Sequence, residues 1–189
     1  MGHFWHNARM TPVHLPFARW WPQAECLSHQ AVTHNLAELW HVNSLTLGLK
    51  ALSPHFGVKV LTLADAQAYA DESVFDGQQP LFCREVVLSL DDRPVVWARS
   101  VCTKDSHAWL SLLDCGTQPL GQRLFDGSLP ITRSPFEYAV VSAAHPMLPA
   151  QVAALLSDEG MAARRSVFWW QGAPLLLTEC FLPSIEEYL

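Results

Sequence analysis

The chain has 189 residues, half of them hydrophobic, and carries a formal net charge of −6. This length fits one domain with a substantial buried core. The negative charge argues against nucleic acid and anionic membranes as general partners, because both would be repelled by the overall field. No stretch reaches the roughly 18 consecutive apolar residues that a membrane-spanning helix needs, so we expect no membrane insertion.

Five cysteines, an odd number, are scattered along the chain without a CxxC pair. Cys83, Cys102 and Cys180 fall in strand-like runs, where a free cysteine usually behaves as a small buried hydrophobic residue. This usage favours a reducing compartment. The N-terminus has no basic leader followed by an apolar run, and we therefore predict a cytoplasmic protein.

The first part of the chain differs in character from the rest. Residues 1–30 are predicted to form an N-terminal arm or extension, and residues 31–189 a single domain. The arm is rich in aromatic residues and proline and has no clean periodicity. It contains His3, His6 and His14, but their spacing matches no defensible metal site, so no metal site is predicted.

Hydrophobic periodicity predicts the secondary structure of the domain. A helical stripe runs from Leu36 to Leu52 and is interrupted at Asn43-Ser44. Apolar runs predict six strands, at 56–64, 81–90, 95–103, 136–142, 164–171 and 173–182. Short helices are expected at 106–113 and 149–156, and a connecting loop at 67–80. Hairpins with inserted helices predict an α+β fold, with a six-stranded, mainly antiparallel sheet and helices packed on it.

Two charged residues stand in the apolar rows of predicted strands. Side chains alternate along a strand, which places Glu179 on one face with Leu177 and places Arg84 on one face with Val86. A charge in such a row is costly to bury unless it is paired or hydrogen-bonded. Two interpretations are open: a buried ion pair of Arg84 with Glu179, or the polar end of a ligand pocket.

Other local patterns are less specific. Arg99 is a further cation in an apolar row, nearer a possible sheet edge. The segment 114–125 contains Gly116, Pro119 and Gly121, which predicts an irregular connection whose backbone either approaches a ligand or is an ordinary connector. No Walker loop, GxGxxG, HExxH or GxSxG motif is present, so nucleotide-binding, zinc-protease and serine-hydrolase functions have no local support.

Six segments of the chain, in a fixed order, resemble the bacterial chorismate lyases (chorismate pyruvate-lyases). They are LFCREVVL at 81–88, WARSV at 97–101, PLGQRLF at 119–125, LPITR at 129–133, RRS at 164–166 and PLLLTECFLP at 174–183. The similarity runs from about Leu36 to the C-terminus, and the ordered combination is far more specific than any one segment.

The resemblance implies a monomeric lyase that converts chorismate to 4-hydroxybenzoate and pyruvate at the start of ubiquinone biosynthesis, without metal or organic cofactor. In that family an arginine, a glutamate, a backbone amide and a hydrophobic residue hold the product in an enclosed pocket. These positions fall on Arg84, Glu179, Leu120 and Leu45 of this sequence. Family members carry methionine at the last of them, so Leu45 departs from the pattern.

The chemistry of the substrate agrees with these positions. Chorismate is a dicarboxylate, and the planar fork of Arg84 suits one carboxylate in a dry pocket. Glu179 is the candidate to hydrogen-bond the 4-hydroxyl or to pass a proton to the leaving oxygen. The pyruvyl carboxylate has three candidate partners that otherwise form structural salt bridges, namely Arg99, Arg133 and Arg165. An enclosed aromatic acid should leave slowly, so we expect product inhibition and release-limited turnover.

The main alternative is a non-catalytic domain that binds an aromatic acid. Effector-sensing domains of some bacterial transcription regulators resemble this fold, and fold alone does not determine function. No basic helix-turn-helix precedes the domain in this sequence, which argues against a regulator. A third interpretation is a degenerate family member that binds 4-hydroxybenzoate or is purely structural.

Overall fold

The computed structural model describes residues 18–27, 36–75, 80–156 and 160–189. In this part of the chain the strands are β1 (Phe56–Ala66), β2 (Leu81–Leu90), β3 (Arg93–Thr103), β4 (Thr132–Arg133), β5 (Glu137–Val141), β6 (Met161–Trp170) and β7 (Ala173–Phe181). The helices are α1 (Leu36–His41), α2 (Leu45–Leu52), α3 (His107–Leu113), α4 (Leu120–Phe125) and α5 (Ala150–Ala153). Among the described helices, none is long and apolar enough to span a bilayer.

The strands form one antiparallel sheet in the order β1-β2-β3-β7-β6-β4, with β5 also paired to β6. The predicted α+β class and antiparallel sheet are confirmed. The sheet has seven strands where six were expected, because β4 pairs only Thr132 and Arg133 with β6. Two residues are too few to show a period of two, so this strand leaves no pattern in the sequence.

Local chemistry explains the two tightest connections. The β2–β3 turn has positive φ at Asp91 and Asp92, and the β6–β7 turn has positive φ at Gln171 and Gly172. Positive φ at both central residues is the type I′ geometry, whose twist matches that of paired strands. Asp and Gly tolerate this conformation, so each turn fixes the register of its hairpin.

Two further expectations are corrected in the middle of the chain. Helix α4 occupies 120–125, where an irregular connection was predicted, because its six residues are too short for a helical period to stand out. Strand β6 begins at Met161, three residues before the predicted start. Its added residues are apolar, and they pair with β5. The predicted break between the first helices lies at Val42–Ser44, as expected.

The sheet divides the core into two layers. The face that carries Val86 and Leu177 packs against residues of α1 to α4, and we call it the front face. The opposite face carries Trp97 and Cys180 and packs against α5 and the loop that precedes it, and we call it the back face. The four cysteines whose side chains are described, Cys83, Cys102, Cys115 and Cys180, are buried and free.

Part of the predicted N-terminal arm contacts the sheet. Trp21 exchanges backbone hydrogen bonds with Tyr138 of β5, with N···O distances of 2.7 and 2.8 Å. Leu27 lies in the front-face core. His3, His6 and His14 lie outside the described residues.

Candidate active site

A cavity lies between the front face and helices α2 and α4. It encloses about 460 Å³ of space not occupied by protein atoms, its opening included. Most of its wall is apolar, formed by Leu45, Val58, Val86, Leu88, Ala98, Pro119, Leu120, Gly121, Phe125 and Leu177. Its polar wall residues are Thr46, Arg84, Ser100 and Glu179. An apolar cavity with a few convergent polar groups is typical of a small-molecule site.

Arg84 is buried at one side of this cavity, with 3% of its surface exposed. Its Nη2 donates to the carbonyl oxygens of Gly116 at 2.8 Å and Gln118 at 3.2 Å. Gly116 has φ of 56°, a left-handed conformation that glycine adopts without strain, and this turn directs its carbonyl to the guanidinium. Within the described chain no carboxylate pairs with Arg84. Burial lowers the pKa of the Arg84 guanidinium.

Glu179 is 8% exposed and pairs with Arg164. The Arg164 Nε donates to Glu179 Oε2 at 2.6 Å. The Nη1 of Arg164 also reaches the carbonyl oxygens of Leu39, Trp40 and Val42, at 2.8 to 3.0 Å. These carbonyls have no partner within helix α1, because they lie at its C-terminal end. Arg164 therefore caps α1 and holds the Glu179 carboxylate at the same time.

The strand register sets the distance between the two charged residues. Arg84 pairs with Ser100, and Ser100 pairs with Leu177, two residues before Glu179 on the same face. Two strand spacings and two residues of offset place their Cα atoms about 12 Å apart. The predicted alternative of a structural Arg84–Glu179 ion pair is therefore wrong, because each side chain has other partners. Both instead line one cavity.

The two remaining predicted positions also lie on the cavity wall. Leu45 is the first residue of α2 and Leu120 the first of α4. A backbone N–H at the first position of a helix has no acceptor within that helix. The helices approach closely here, since a Cβ added at Gly121 would lie 3.1 Å from Thr46 Oγ1. A glycine at 121 thus keeps this end of the cavity narrow.

The comparisons with known proteins identify the family. A family model described as chorismate lyase matches residues 16–187 of the chain. The chain belongs to the chorismate lyase family.

Individual relatives support this family assignment over most of the chain. A probable chorismate pyruvate-lyase of Nitrosomonas eutropha is 32% identical over 190 residues, covering 97% of this chain and 95% of the relative. One from Ralstonia nicotianae is 38% identical over 157 residues, covering 78% of this chain and 80% of the relative.

Among solved structures, the C-terminal domain of the histidine utilization repressor from Pseudomonas syringae pv. tomato matches 69% of this chain and 93% of its own, at 16% identity and a TM-score of 0.47.

Membership of the chorismate lyase family confirms the predicted lyase class and does not favour the non-catalytic alternative. The structure also sorts the three arginines considered for the pyruvyl carboxylate. Arg99 and Arg165 lie on the back face and pair with carboxylates, Arg99 with Glu72 and Arg165 with Glu137. Arg133 lies next to the cavity instead, with its guanidinium 5.5 Å from the Phe125 ring centroid.

Sequence reasoning missed three polar groups of this chorismate lyase site. Ser100 and Thr46 gave no signal, because a single hydroxyl in an apolar run is common. Arg164 had a usable signal: it lies seven residues before Gln171, and Glu179 lies seven residues after Gly172. A two-residue turn at Gln171-Gly172 makes these residues direct cross-strand partners, as the register has them.

Proposed function

We propose that this protein converts chorismate to 4-hydroxybenzoate and pyruvate in the front-face cavity, with Arg84 binding the ring carboxylate. One observation carries the proposal: Arg84 is a buried cation with neutral carbonyl partners and no carboxylate partner among the described residues. A buried charge without a counter-ion is costly. An anionic ligand beside it removes that cost and gains charge-assisted hydrogen bonds in a water-poor cavity.

The reaction requires orientation more than strong acid or base catalysis. The ether bond between the ring and the enolpyruvyl group breaks, and its electron pair leaves with enolpyruvate. The hydrogen on the neighbouring ring carbon, which bears the hydroxyl, leaves as a proton, and the ring becomes aromatic. Enolpyruvate takes up one proton at its methylene carbon and becomes pyruvate. Aromatisation supplies the driving force, so the proposal involves no metal or organic cofactor.

Glu179 is proposed to act at the hydroxyl end of the ring. With the ring carboxylate at Arg84, a ring of this length directs its hydroxyl toward Glu179, across strand β3, which lies between β2 and β7. Glu179 accepts a hydrogen bond from that hydroxyl or passes a proton to the leaving oxygen. Arg164 fixes the orientation of the carboxylate through the 2.6 Å bond.

Leu120 and Leu45 complete the proposed contacts. The backbone N–H of Leu120 donates to the ring carboxylate from the start of α4, close to the carbonyls that hold Arg84. Leu45 forms part of the apolar wall against the ring. Leucine and methionine have similar volume, so a leucine at this position is compatible with an aromatic ligand.

Cellular context is proposed on chemical grounds. The protein acts as a cytoplasmic monomer at the start of ubiquinone biosynthesis, and its cysteines support a reducing compartment. Four of them are buried and free, and burial raises the pKa of Cys102 to about 12. A thiol with such a pKa stays protonated and unreactive at neutral pH.

The direct test is to incubate the purified protein with chorismate and to follow 4-hydroxybenzoate by its absorbance. The Glu179→Gln variant keeps the shape of the side chain but removes its proton-transfer capacity. We expect its kcat to fall roughly 100-fold or more, with little change in 4-hydroxybenzoate affinity. Activity near that of the unmodified protein would remove the proton-transfer role, and no product from the unmodified protein would remove the proposed function.

Slow product release is a separate expectation of the enclosed site. Helices α2 and α4 cover the cavity, so 4-hydroxybenzoate must displace side chains or wait for an opening before it leaves. A rapid-mixing experiment with excess chorismate should therefore give a burst of one product per enzyme, followed by a slower steady rate. A linear time course with weak product inhibition would contradict release-limited turnover.

A further inference from the structure

The second carboxylate of chorismate needs its own partner, and this requirement rests on the proposed function. The enolpyruvyl ether is attached to the ring carbon next to the one that bears the hydroxyl. Its carboxylate therefore lies toward the Glu179 end of the cavity when the ring carboxylate is at Arg84. A cation near Glu179, at the edge of the cavity, is the group that would receive it.

Most of the nearby arginines are already engaged. Arg99 and Arg165 are on the back face of the sheet, where carboxylates pair with them. Arg164 is occupied by Glu179 and by the end of α1. Arg123 donates to the Leu112 carbonyl at 3.4 Å and is not part of the cavity wall.

Arg133 differs from these arginines in its partners. Its Nη1 and Nη2 donate to the backbone and side-chain oxygens of Asn43, at 3.3 and 3.0 Å. No carboxylate within the described residues forms a salt bridge with it. Its guanidinium is half-buried, and its contacts among the described residues are with neutral oxygens and aromatic rings.

The position of Arg133 also matches the end of the cavity in question. Asn43 comes two residues before Leu45, a wall residue, and the Phe125 ring, also part of the wall, lies 5.5 Å from the Arg133 guanidinium. The Phe136 ring lies 4.3 Å from the guanidinium of Arg133 and 4.4 Å from that of Arg164, which holds Glu179. Burial and then the neighbouring Arg164 charge lower the pKa of Arg133.

We propose that Arg133 binds the carboxylate of the enolpyruvyl group and so distinguishes chorismate from 4-hydroxybenzoate. The product keeps only the carboxylate at Arg84, while the group that Arg133 holds departs as pyruvate. Arg133 is thus a specificity residue for the dicarboxylate substrate, and it contributes nothing to product retention.

The test compares two ligands on one variant. In Arg133→Met, we expect kcat/KM for chorismate to fall roughly 10- to 100-fold, the range of one lost charge-assisted contact, while Kd for 4-hydroxybenzoate changes less than about twofold. Arg133→Lys keeps the charge, and its kcat/KM for chorismate should lie between those of Arg133→Met and the unmodified protein. Arg123→Met removes a nearby positive charge outside the cavity wall. This control should leave both ligands within about twofold.

Each contrary result has a distinct meaning. Equal losses for both ligands in Arg133→Met, or a loss in Arg123→Met as large as in Arg133→Met, would overturn the inference that Arg133 contacts the substrate carboxylate. Unchanged kcat/KM in Arg133→Met would overturn it outright. If the unmodified protein forms no product, the proposed function fails. Direct titration of chorismate into the unmodified protein and Arg133→Met then decides the binding role: weaker binding by Arg133→Met supports it, and equal binding overturns it.

Discussion

Arg84 and Arg99 are both buried arginines, but they lie on opposite faces of the sheet and differ in their partners. They lie on adjacent strands, β2 and β3, and each is 3% exposed. Arg99 donates to Glu72 at 3.0 Å and to Glu85 at 2.8 Å. Arg84 has two backbone carbonyls and no carboxylate among the described residues.

The pKa values of the two guanidinium groups are shifted in opposite directions. Burial acts on both, and for Arg84 it is the largest effect, so the pKa of Arg84 lies below the ordinary value. For Arg99 the same burial effect is outweighed by Glu72 and Glu85, so its pKa lies above the ordinary value. Removing a fully paired buried cation leaves its carboxylates buried and unpaired, whereas an unpaired cation is available to an anionic ligand.

Other charged residues on the two faces show a similar difference in their partners. On the back face Arg165 pairs with Glu137, and Asp71 faces both Trp20 and His145. On the front face Glu179 pairs with Arg164, and the cavity lies between Glu179 and Arg84. Arg99 and Arg165 on the back face thus have carboxylate partners, whereas Arg84 on the front face has none among the described residues and lines the cavity.

The strongest test of this contrast is a pair of matched substitutions. Arg99→Met leaves two carboxylates buried without their cation, and we expect a loss of about 3–5 kcal/mol in the free energy of unfolding. Arg84→Met removes only hydrogen bonds to two carbonyls, and the expected loss is about 1–2 kcal/mol. Urea denaturation monitored by tryptophan fluorescence measures both values.

Ligand affinity should follow the opposite order in these two variants. Arg84→Met should weaken 4-hydroxybenzoate binding by about 2–4 kcal/mol, roughly 30- to 900-fold, because the ring carboxylate loses its cation. Arg99→Met, measured below its unfolding transition, should keep Kd within about threefold. If both variants lose stability and affinity in equal proportion, the division between the two faces is wrong.

The two arginines also illustrate what the sequence could predict. Arg84 and Glu179 were found because charged residues in apolar rows of a strand are rare, and strand periodicity places them on definite faces. The fold class followed from hairpin spacing, since the two-residue turns fix register locally. These patterns involve residues close together in the sequence, so the sequence alone can predict them.

The missed features depend on contacts between distant segments. The pairing of Arg99 with Glu72 could not be predicted, since Glu72 belongs to the 67–80 connection, whose packing has no periodic signal. Arg99 therefore remained a candidate for ligand binding. The pairing of Glu179 with Arg164 could have been obtained by counting from the turn. The link from Arg164 to the end of α1 could not, because it joins residues more than 120 positions apart.

A smaller effect is expected from Asp71, whose partners on the back face all belong to the protein. Trp20 Nε1 donates to Asp71 Oδ2 at 2.8 Å, and His145 Nε2 lies 3.5 Å from the same oxygen, longer than an ordinary hydrogen bond. The Arg165 guanidinium also reaches the Asp71 backbone carbonyl at 2.6 Å. Burial raises the pKa of the Asp71 carboxyl, but His145 and Trp20 lower it more, and the net pKa lies below the ordinary value.

Because the folded pKa of Asp71 is depressed, its carboxylate stabilises the fold above the unfolded pKa of about 3.9, and this contribution disappears as the pH falls through the folded pKa. Asp71→Asn should therefore cost about 1–2 kcal/mol at pH 7, and the deficit should shrink below about pH 4. Asp65→Asn is the matched control, since Asp65 pairs with Lys104 on the exposed surface and should cost less than about 0.5 kcal/mol. Urea titrations at several pH values measure both variants. A deficit for Asp71→Asn that is constant with pH would mean that its charge does not stabilise this face.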